Sequence, residues 1–218
     1  MNIYWFGQNC FKIEGEKSIL VTDPFDNSLG LKVPRLAADV ITLSQPDNET
    51  NNEKSIKGVG ENPPFLIASA GEYEVKNIFI YGIAADSKET EKKKGATQNL
   101  IYRFEIDGVS LAHLGNLDHI LENGQMETLE GVDILIIPVG GNSTINAKQA
   151  TEVISQLEPR IVIPMAYDLP GLKLKGKLDG ISSFCKEIGV CPKENLNKFK
   201  ISKKDLPQQD LQVVILQP

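Results

Sequence analysis

The residues best suited to chemistry lie together at the end of one apolar stretch. Residues 109–121 include both histidines of the chain, His113 and His119, with Asn116 between them. Imidazole changes its charge near neutral pH and is also a common metal ligand. The stretch begins as a buried strand that ends at Gly115, and layered folds present functional side chains at such strand ends. We therefore expect a site at this end of the strand, with His119 on the helix that follows.

A second group of candidates follows the apolar segment 39–44. Asp47 and Glu49 lie in a polar segment, residues 45–57, that shows neither helical nor strand periodicity. Two carboxyl groups on one loop can act as a general acid and a general base. They can also be two solvated acids on a surface loop, and the sequence favours this second interpretation.

Apolar periodicity predicts the elements that position these side chains. Short alternating segments joined by turns dominate the first half, among them a hairpin at Asp107-Gly108. Continuous apolar runs at 132–138 and 160–164 are typical of central strands covered on both faces. Between the strands we expect residues 71–75 as a separating segment and residues 85–98 as a loop or the tip of a hairpin.

Three segments are predicted to be helical: residues 119–129, 146–157 and 181–188. They occur in the second half, where helices alternate with strands, whereas the first half is built of hairpins. This order indicates an α/β (α+β) fold of two packed mixed sheets with helices outside. With 218 residues, the chain is expected to form one domain over 1–218.

Composition excludes several classes of protein. No window reaches the roughly 18 apolar residues that a membrane helix needs, and the first residues lack the pattern of a signal peptide, so we expect a cytoplasmic protein without membrane contact. The odd count of 3 cysteines suits a reducing compartment, with Cys185 and Cys191 as unpaired apolar side chains. A net charge of −6 argues against nucleic-acid binding.

The charge is unevenly distributed along the chain. Residues 173–204 contain nine lysines and three acidic residues, a net charge of +6 against −12 for the rest. Such a segment is either a solvated face or a site for polyanions, and a polyanion site requires its lysines to form one surface beside the candidate site.

Several motifs occur in an order that resembles a known family. They are Trp5-Phe6-Gly7, Thr22-Asp23-Pro24-Phe25, the run 38–44 ending in Thr42-Leu43-Ser44, Gly71-Glu72-Tyr73-Glu74-Val75, His113-Leu114-Gly115, the run 133–141, and Ile163-Pro164-Met165. Together they resemble the metallo-β-lactamase fold, in particular the branch of Zn-dependent hydrolases similar to L-ascorbate-6-phosphate lactonase. The resemblance covers the chain to about residue 170. It implies an αββα sandwich.

The resemblance also implies where zinc ligands should lie, and this sequence departs from every such position. The expected His-x-His-x-Asp-His cluster after Ser44 falls on Gln45, Asp47, Glu49 and Thr50, and the next histidine falls near Ala85 and Asp86. The expected aspartate is Asn116, the final histidine is Ala166, and His113 would lie beside the metal rather than on it. Because zinc needs at least three good protein ligands, we expect no zinc and no other cofactor, and a vestigial pocket made of these nine residues.

Three functions follow from these observations. The first is a pseudoenzyme, a non-catalytic protein with a binding or assembly role. The second is a metal-dependent hydrolase in which Asp47, Glu49, Asp86 and Asn116 form an oxygen-rich shell for Mg²⁺ or Mn²⁺. The third is a polyanion-binding module that uses residues 173–204. The sequence favours the first, identifies no partner, and leaves a homo-oligomer open.

Overall fold

A computed structural model describes residues 1–85 and 98–218, and two sheets form its centre. The first has six strands in the order β14-β1-β2-β3-β5-β7. Strands β1, β2 and β3 form an antiparallel meander, whereas β3, β5 and β7 are parallel. Strands are numbered in chain order, and those of this sheet are β1 (Asn2–Trp5), β2 (Phe11–Glu14), β3 (Ile19–Thr22), β5 (Val40–Thr42), β7 (Phe65–Ile67) and β14 (Phe199–Lys200).

The second sheet has seven strands in the order β15-β13-β12-β11-β10-β9-β8. Strands β8 to β11 are antiparallel neighbours, and β11, β12, β13 and β15 are parallel. A small sheet pairs β4 (Ala37–Ala38) with β6 (Lys57–Gly58). The strands of the second sheet are β8 (Gly71–Val75), β9 (Ile78–Ala84), β10 (Leu100–Ile106), β11 (Val109–His113), β12 (Ile134–Pro138), β13 (Ile161–Met165) and β15 (Gln212–Val213).

The main core lies between the two sheets. Phe11 and Ile13, which alternate with half-buried residues on β2, pack in one cluster with residues of the second sheet such as Phe104 and Leu111. All five residues of β12 are buried, as expected for a strand covered on both faces. A smaller cluster on the other side of the first sheet packs Val21 and neighbouring side chains against residues 25–56.

Within the described residues, three α-helices pack with the second sheet. They are α1 (Asn123–Leu129), α2 (Ala147–Leu157) and α3 (Ile181–Ile188). Helix α2 contacts β12 and both other helices, and it buries one apolar face made of Ala147, Ala150, Val153, Ile154 and Leu157. Its start is fixed by a capping box between Asn146 and Gln149. No helix in the described part of the chain has the length and apolarity needed to cross a membrane.

The predicted αββα sandwich is confirmed, and two local predictions are wrong. Residues 71–75 form strand β8 instead of a segment that only separates two strands. The helix predicted at 119–129 begins only at Asn123, because Glu122 and Gln125 form its capping box, so His119 lies in the loop before it. The predicted loop at 85–98 falls almost entirely outside the described residues.

The prediction that Cys185 and Cys191 are unpaired is also wrong, because they form a disulfide. Gly189 ends α3 in the left-handed conformation, with φ of 75°, and its N–H donates to the carbonyl of Cys185. This turn reverses the chain, which brings Cys191 back to the last turn of the helix. The third cysteine, Cys10, is a buried free thiol.

Candidate functional site

A polar cleft of about 230 Å³ lies where strand ends of both sheets meet. Gln45 follows β5 of the first sheet, while Asn116 and Ala166 follow β11 and β13 of the second, and all three line this cleft. The side chains converge because the parallel strands of each sheet end on the same side. The lining residues are Gln8, Asn9, Asp23, Phe25, Leu29, Gln45, Asn48, Thr50, Asn51, Asn116, Ser143, Thr144, Ala166, Leu174 and Leu178.

Asp23 is the only acidic residue among the described residues of the lining. It directly follows β3, and its side chain is 11% exposed. The backbone N–H of Ser44 donates to Oδ1 at 2.5 Å, and the Ser44 hydroxyl donates to Oδ2 at 2.8 Å. Burial raises the pKa of Asp23 to about 7, and the two bonds from Ser44 oppose that rise. The wall of the cleft therefore carries a carboxyl group that titrates near neutral pH.

His113 lies beneath the cleft and does not line it. Its ring is fully buried, with Nε2 at 3.0 Å from the carbonyl oxygen of Asn9, while Nδ1 accepts from the N–H of Gly115 at 3.3 Å. Burial lowers the pKa of His113 to about 4, so the ring is neutral at pH 7. Asp23 Oδ2 lies 3.9 Å from Nδ1, and because the ring is neutral the two groups do not form an ion pair.

Six carboxamide side chains give the cleft its polarity: Gln8, Asn9, Gln45, Asn48, Asn51 and Asn116. The loop after β5 is held by its own amides, since Asn51 Nδ2 donates to the carbonyl of Gln45 at 2.8 Å. Two polar atoms of the lining residues are buried without a hydrogen-bond partner among the described residues, Gln8 Nε2 and Asn9 Oδ1. Such atoms cost free energy unless a ligand or solvent satisfies them.

Three lining residues have a backbone conformation that side chains rarely adopt. Gln8, Asp23 and Ala166 have φ of 46°, 40° and 52°. Non-glycine residues with positive φ are strained, and they cluster at functional sites, where the surrounding structure holds them in place. Three of the eight non-glycine residues with positive φ in the described part of the chain thus lie in the lining, which favours a functional role for the cleft.

The structure brings four of the nine predicted pocket residues into the cleft: Gln45, Thr50, Asn116 and Ala166. Asp47 and Glu49 are exposed and do not line it, so they cannot act there as an acid and base pair. Ala85 is buried away from the cleft, and Asp86 lies outside the described residues. Sequence reasoning noted Asp23 only as part of a motif and a strand end. Its position before Pro24, where a strand stops, was the available signal.

The side chains at the cleft do not fit a zinc ion. His113 uses both ring nitrogens internally, and amides are poor zinc ligands, which leaves Asp23 as the single good donor. Within residues 1–85 and 98–218, no group of three or more His, Cys, Asp or Glu residues could hold a metal ion. The shell of Asp47, Glu49 and Asn116 is not assembled either, since the two carboxylates point out of the cleft lining. We therefore assign no chemical step to a metal.

The lysines of residues 173–204 do not form one surface. The backbone of Lys173 bonds to Leu29, which lines the cleft. Lys203 instead pairs with Asp133 at 2.9 Å, and Asp133 precedes β12, at the end of that strand remote from the cleft. The predicted single positive surface is therefore wrong, and the case for a polyanion-binding module fails with it.

Comparison with known proteins places the chain in a family. Residues 2–166 match the model of the β-lactamase superfamily domain. A crystal structure from Thermotoga maritima, assigned as a Zn-dependent hydrolase of the metallo-β-lactamase superfamily, is 31% identical, with a TM-score of 0.78 over 99% of this chain and 97% of that one. A UPF0173 metal-dependent hydrolase from Thermococcus onnurineus is 26% identical over 77% of this chain and 85% of its own. Another from Lysinibacillus sphaericus is 26% identical over 77% and 86%.

These relatives correct the prediction of function and support the prediction of the family. The prediction of a non-catalytic protein is wrong, because the relatives are named metal-dependent hydrolases. That prediction equated the loss of expected ligands with the loss of chemistry, although the cleft keeps a carboxyl group suited to proton transfer. The narrower likeness to the lactonase-like branch stays a prediction. Family-model coverage of 2–166 and the likeness over nearly the whole chain show that this protein belongs to the β-lactamase superfamily.

Proposed function

We propose that the protein is a hydrolase that acts on a small polar molecule in the cleft, with Asp23 as its general base and acid. The observation that carries the proposal is the position of this carboxyl group in the cleft wall, fixed by Ser44 and nearly buried. Its support from the comparisons is the name metal-dependent hydrolase, which several of the relatives carry.

The chemistry follows from the two protonation states of Asp23. In the ionised state, a carboxylate oxygen accepts a proton from water while the water oxygen forms a bond to the electrophilic carbon or phosphorus of the substrate. The bond to the leaving group then breaks, and Asp23 returns its proton to that group. A group whose pKa lies near the working pH performs both transfers well, and a pKa of about 7 meets this condition.

The cleft also offers a group that can stabilise negative charge. The Nε2 of Gln8 has no acceptor among the described residues, although it is buried. A preorganised amide donor beside the reacting group stabilises the oxyanion that forms during hydrolysis. Gln8 lines the cleft, so a rotation of its side chain would turn this amide toward the substrate and let it act as the donor.

Turnover by matched variants tests the proposal. The wild type, Asp23→Asn and Asp47→Asn would be assayed against p-nitrophenyl acetate and bis(p-nitrophenyl) phosphate. Loss of a general base costs about 10²- to 10⁴-fold, so Asp23→Asn should lower kcat by that factor. Asp47→Asn removes an exposed carboxylate beside the cleft and should behave as wild type. Equal activity of all three proteins would refute the role of Asp23.

Folding and metal dependence need their own controls. Circular dichroism and thermal unfolding of Asp23→Asn show whether a loss of turnover reflects an unfolded variant. Because the relatives are named metal-dependent, each assay would be repeated with EDTA and with added Zn²⁺, Mn²⁺ or Mg²⁺. The side chains of the cleft lead us to expect turnover that survives chelation.

We also propose that the protein is cytoplasmic, and the buried free thiol of Cys10 supports this location. The Cys185–Cys191 disulfide weighs against it, because disulfides are rare in reducing compartments. Mass spectrometry of protein alkylated at lysis would decide whether these two cysteines are oxidised in the cell.

A further inference from the structure

We infer that the cleft recognises an uncharged, polyhydroxylated molecule, with the size and chemistry of one sugar ring. The inference names a substrate class for the cleft of the proposed function and rests on that proposal for its catalytic meaning. Binding is nevertheless tested without turnover, so the two can fail separately.

The first argument is the hydrogen-bonding character of the lining. Six carboxamides and three hydroxyls, those of Thr50, Ser143 and Thr144, line the cleft together with one carboxyl group. Some of these groups, on Asn48, Thr50, Asn51 and Thr144, already form hydrogen bonds within the protein, and the others are available to a ligand. A carboxamide offers two donors and an acceptor in one plane, and an alcohol group is both a donor and an acceptor. Amides therefore match neighbouring hydroxyls on a ring, whereas phosphates and carboxylates are bound preferentially by Arg or Lys. No Arg or Lys is among the described residues of the lining.

The second argument is the pair of buried polar atoms without partners. Asn9 is 6% exposed, and its Oδ1 is an unused acceptor, while Nε2 of the adjacent Gln8 is an unused donor. A ligand hydroxyl could donate to the first or accept from the second once that side chain turns into the cleft, because both residues line it. Because unsatisfied buried groups cost free energy, this pair favours a ligand that carries such a hydroxyl.

The third argument is the shape and the apolar part of the cleft. Phe25, Leu29, Leu174 and Leu178 contribute apolar lining, and sugar rings have apolar faces between their polar edges. The volume of about 230 Å³ lies below the roughly 300–1,000 Å³ of drug-sized ligand sites. The volume of the cleft therefore matches that of a single ring.

Three exposed lysines near the cleft make a sugar phosphate the main competing ligand. Lys173, Lys175 and Lys177 flank the lining residues Leu174 and Leu178 along the chain, but none of them lines the cleft. If they bound a phosphate, a sugar phosphate would be preferred to the neutral sugar. The comparison between these two ligands is therefore the decisive one.

Ligand-observed NMR titration of the purified wild type with D-glucose and with D-glucose 6-phosphate makes this comparison. Small ligands of this size bind with Kd on the order of 1 mM, so titration to about 50 mM reaches saturation. We expect glucose to bind and its 6-phosphate to bind at least several-fold more weakly. Binding of the phosphate as tightly as glucose, or no binding of either, would overturn the inference. If turnover depends on Asp23 but neither sugar binds, the proposed function is supported and this inference is refuted.

Two variants localise the binding. Asn116→Ala removes a lining carboxamide, and Asn52→Ala removes a nearby carboxamide outside the lining. Loss of one hydrogen-bonding group weakens binding by up to about tenfold, which we expect for Asn116→Ala only. Equal Kd values for glucose in the two variants would place the binding elsewhere and contradict the inference.

Discussion

Ser44 donates two hydrogen bonds to Asp23, from its backbone N–H to Oδ1 and from its hydroxyl to Oδ2. The two residues follow β5 and β3, which are parallel neighbours, so the contact joins two strand ends at the cleft. It also sets the electrostatics of the site, because both bonds favour the ionised carboxylate that burial disfavours.

Removing the Ser44 hydroxyl should raise the pKa of Asp23 further. Ser44→Ala deletes one of the two bonds that oppose burial, so the carboxyl group should titrate at higher pH than in the wild type. The ¹³C chemical shift of the Asp23 carboxyl, followed against pH, measures this directly. Ser55→Ala, which deletes a hydroxyl bonded to Asn52 outside the lining, serves as the control. A midpoint that is unchanged in Ser44→Ala would count against the assigned bond.

His113 and Asp23 should affect the pH dependence of stability in opposite directions. The pKa of His113 falls from 6.5 to about 4 on folding, so the unfolded chain binds the proton first and stability falls as pH drops through this range. The pKa of Asp23 rises from 3.8 to about 7, so its stabilisation is complete below 3.8 and is lost as pH rises toward 7.

A His113→Gln variant should reveal the Asp23 effect alone. When pH is lowered from about 7.5 to about 5, the free energy of unfolding should change more favourably in this variant than in the wild type, by roughly 2 kcal/mol. The reason is that the variant lacks the imidazole, whose protonation in the unfolded chain destabilises the wild type. Urea denaturation at the two pH values measures the difference. Asp23→Asn should change it in the opposite direction, and a change of the same sign in both variants would contradict the assignment.

Asp133 should matter more for stability than the lysine it pairs with. The Asp133 side chain is 5% exposed and accepts from the N–H and hydroxyl of Ser110 as well as from Lys203. Asp133→Asn leaves buried donors without a charged acceptor and should cost about 1–3 kcal/mol of unfolding free energy. Lys203→Met should cost less than about 1 kcal/mol, because the lysine side chain is 61% exposed. The reverse order in chemical denaturation would disprove this account.

Gly140 should be essential for the shape of the cleft. A Cβ at this position would lie 2.1 Å from the carbonyl oxygen of Ala166, so Gly140→Ala must displace the backbone of a lining residue. We expect a loss of about 1–3 kcal/mol, as for other overpacked sites. Gly124→Ala is the matched control, because a Cβ there meets open space and alanine favours helix α1 by up to about 1 kcal/mol. Thermal unfolding of both variants gives the comparison.

The fold was predictable because its signals are local. The continuous apolar run of β12 indicated a central strand, and helix α3 (Ile181–Ile188) has the predicted bounds. Strand β8 was missed because its residues alternate only weakly and its burial depends on pairing with β9. The disulfide was missed because it depends on the turn at Gly189.

The candidate site was predictable only in position. Strand ends at Gln45, Asn116 and Ala166 do meet, as the motif order indicated. The direction of the side chains in the polar loop after β5 was not predictable. The hydrogen bond from Asn51 to the carbonyl of Gln45 fixes this loop and leaves Asp47 exposed. The importance of Asp23 arises from burial and from Ser44, 21 residues away in sequence, which no local pattern reveals.

The pH dependence of hydrolysis tests the role of Asp23 most directly. If Asp23 is the general base, kcat/KM of the wild type should rise with pH and level off above a midpoint near 7, where the carboxyl group ionises. Asp23→Asn should lose this rise together with most of its activity, while Asp47→Asn should keep both. A pH-independent kcat/KM in the wild type, or the same midpoint in an active Asp23→Asn variant, would contradict the account.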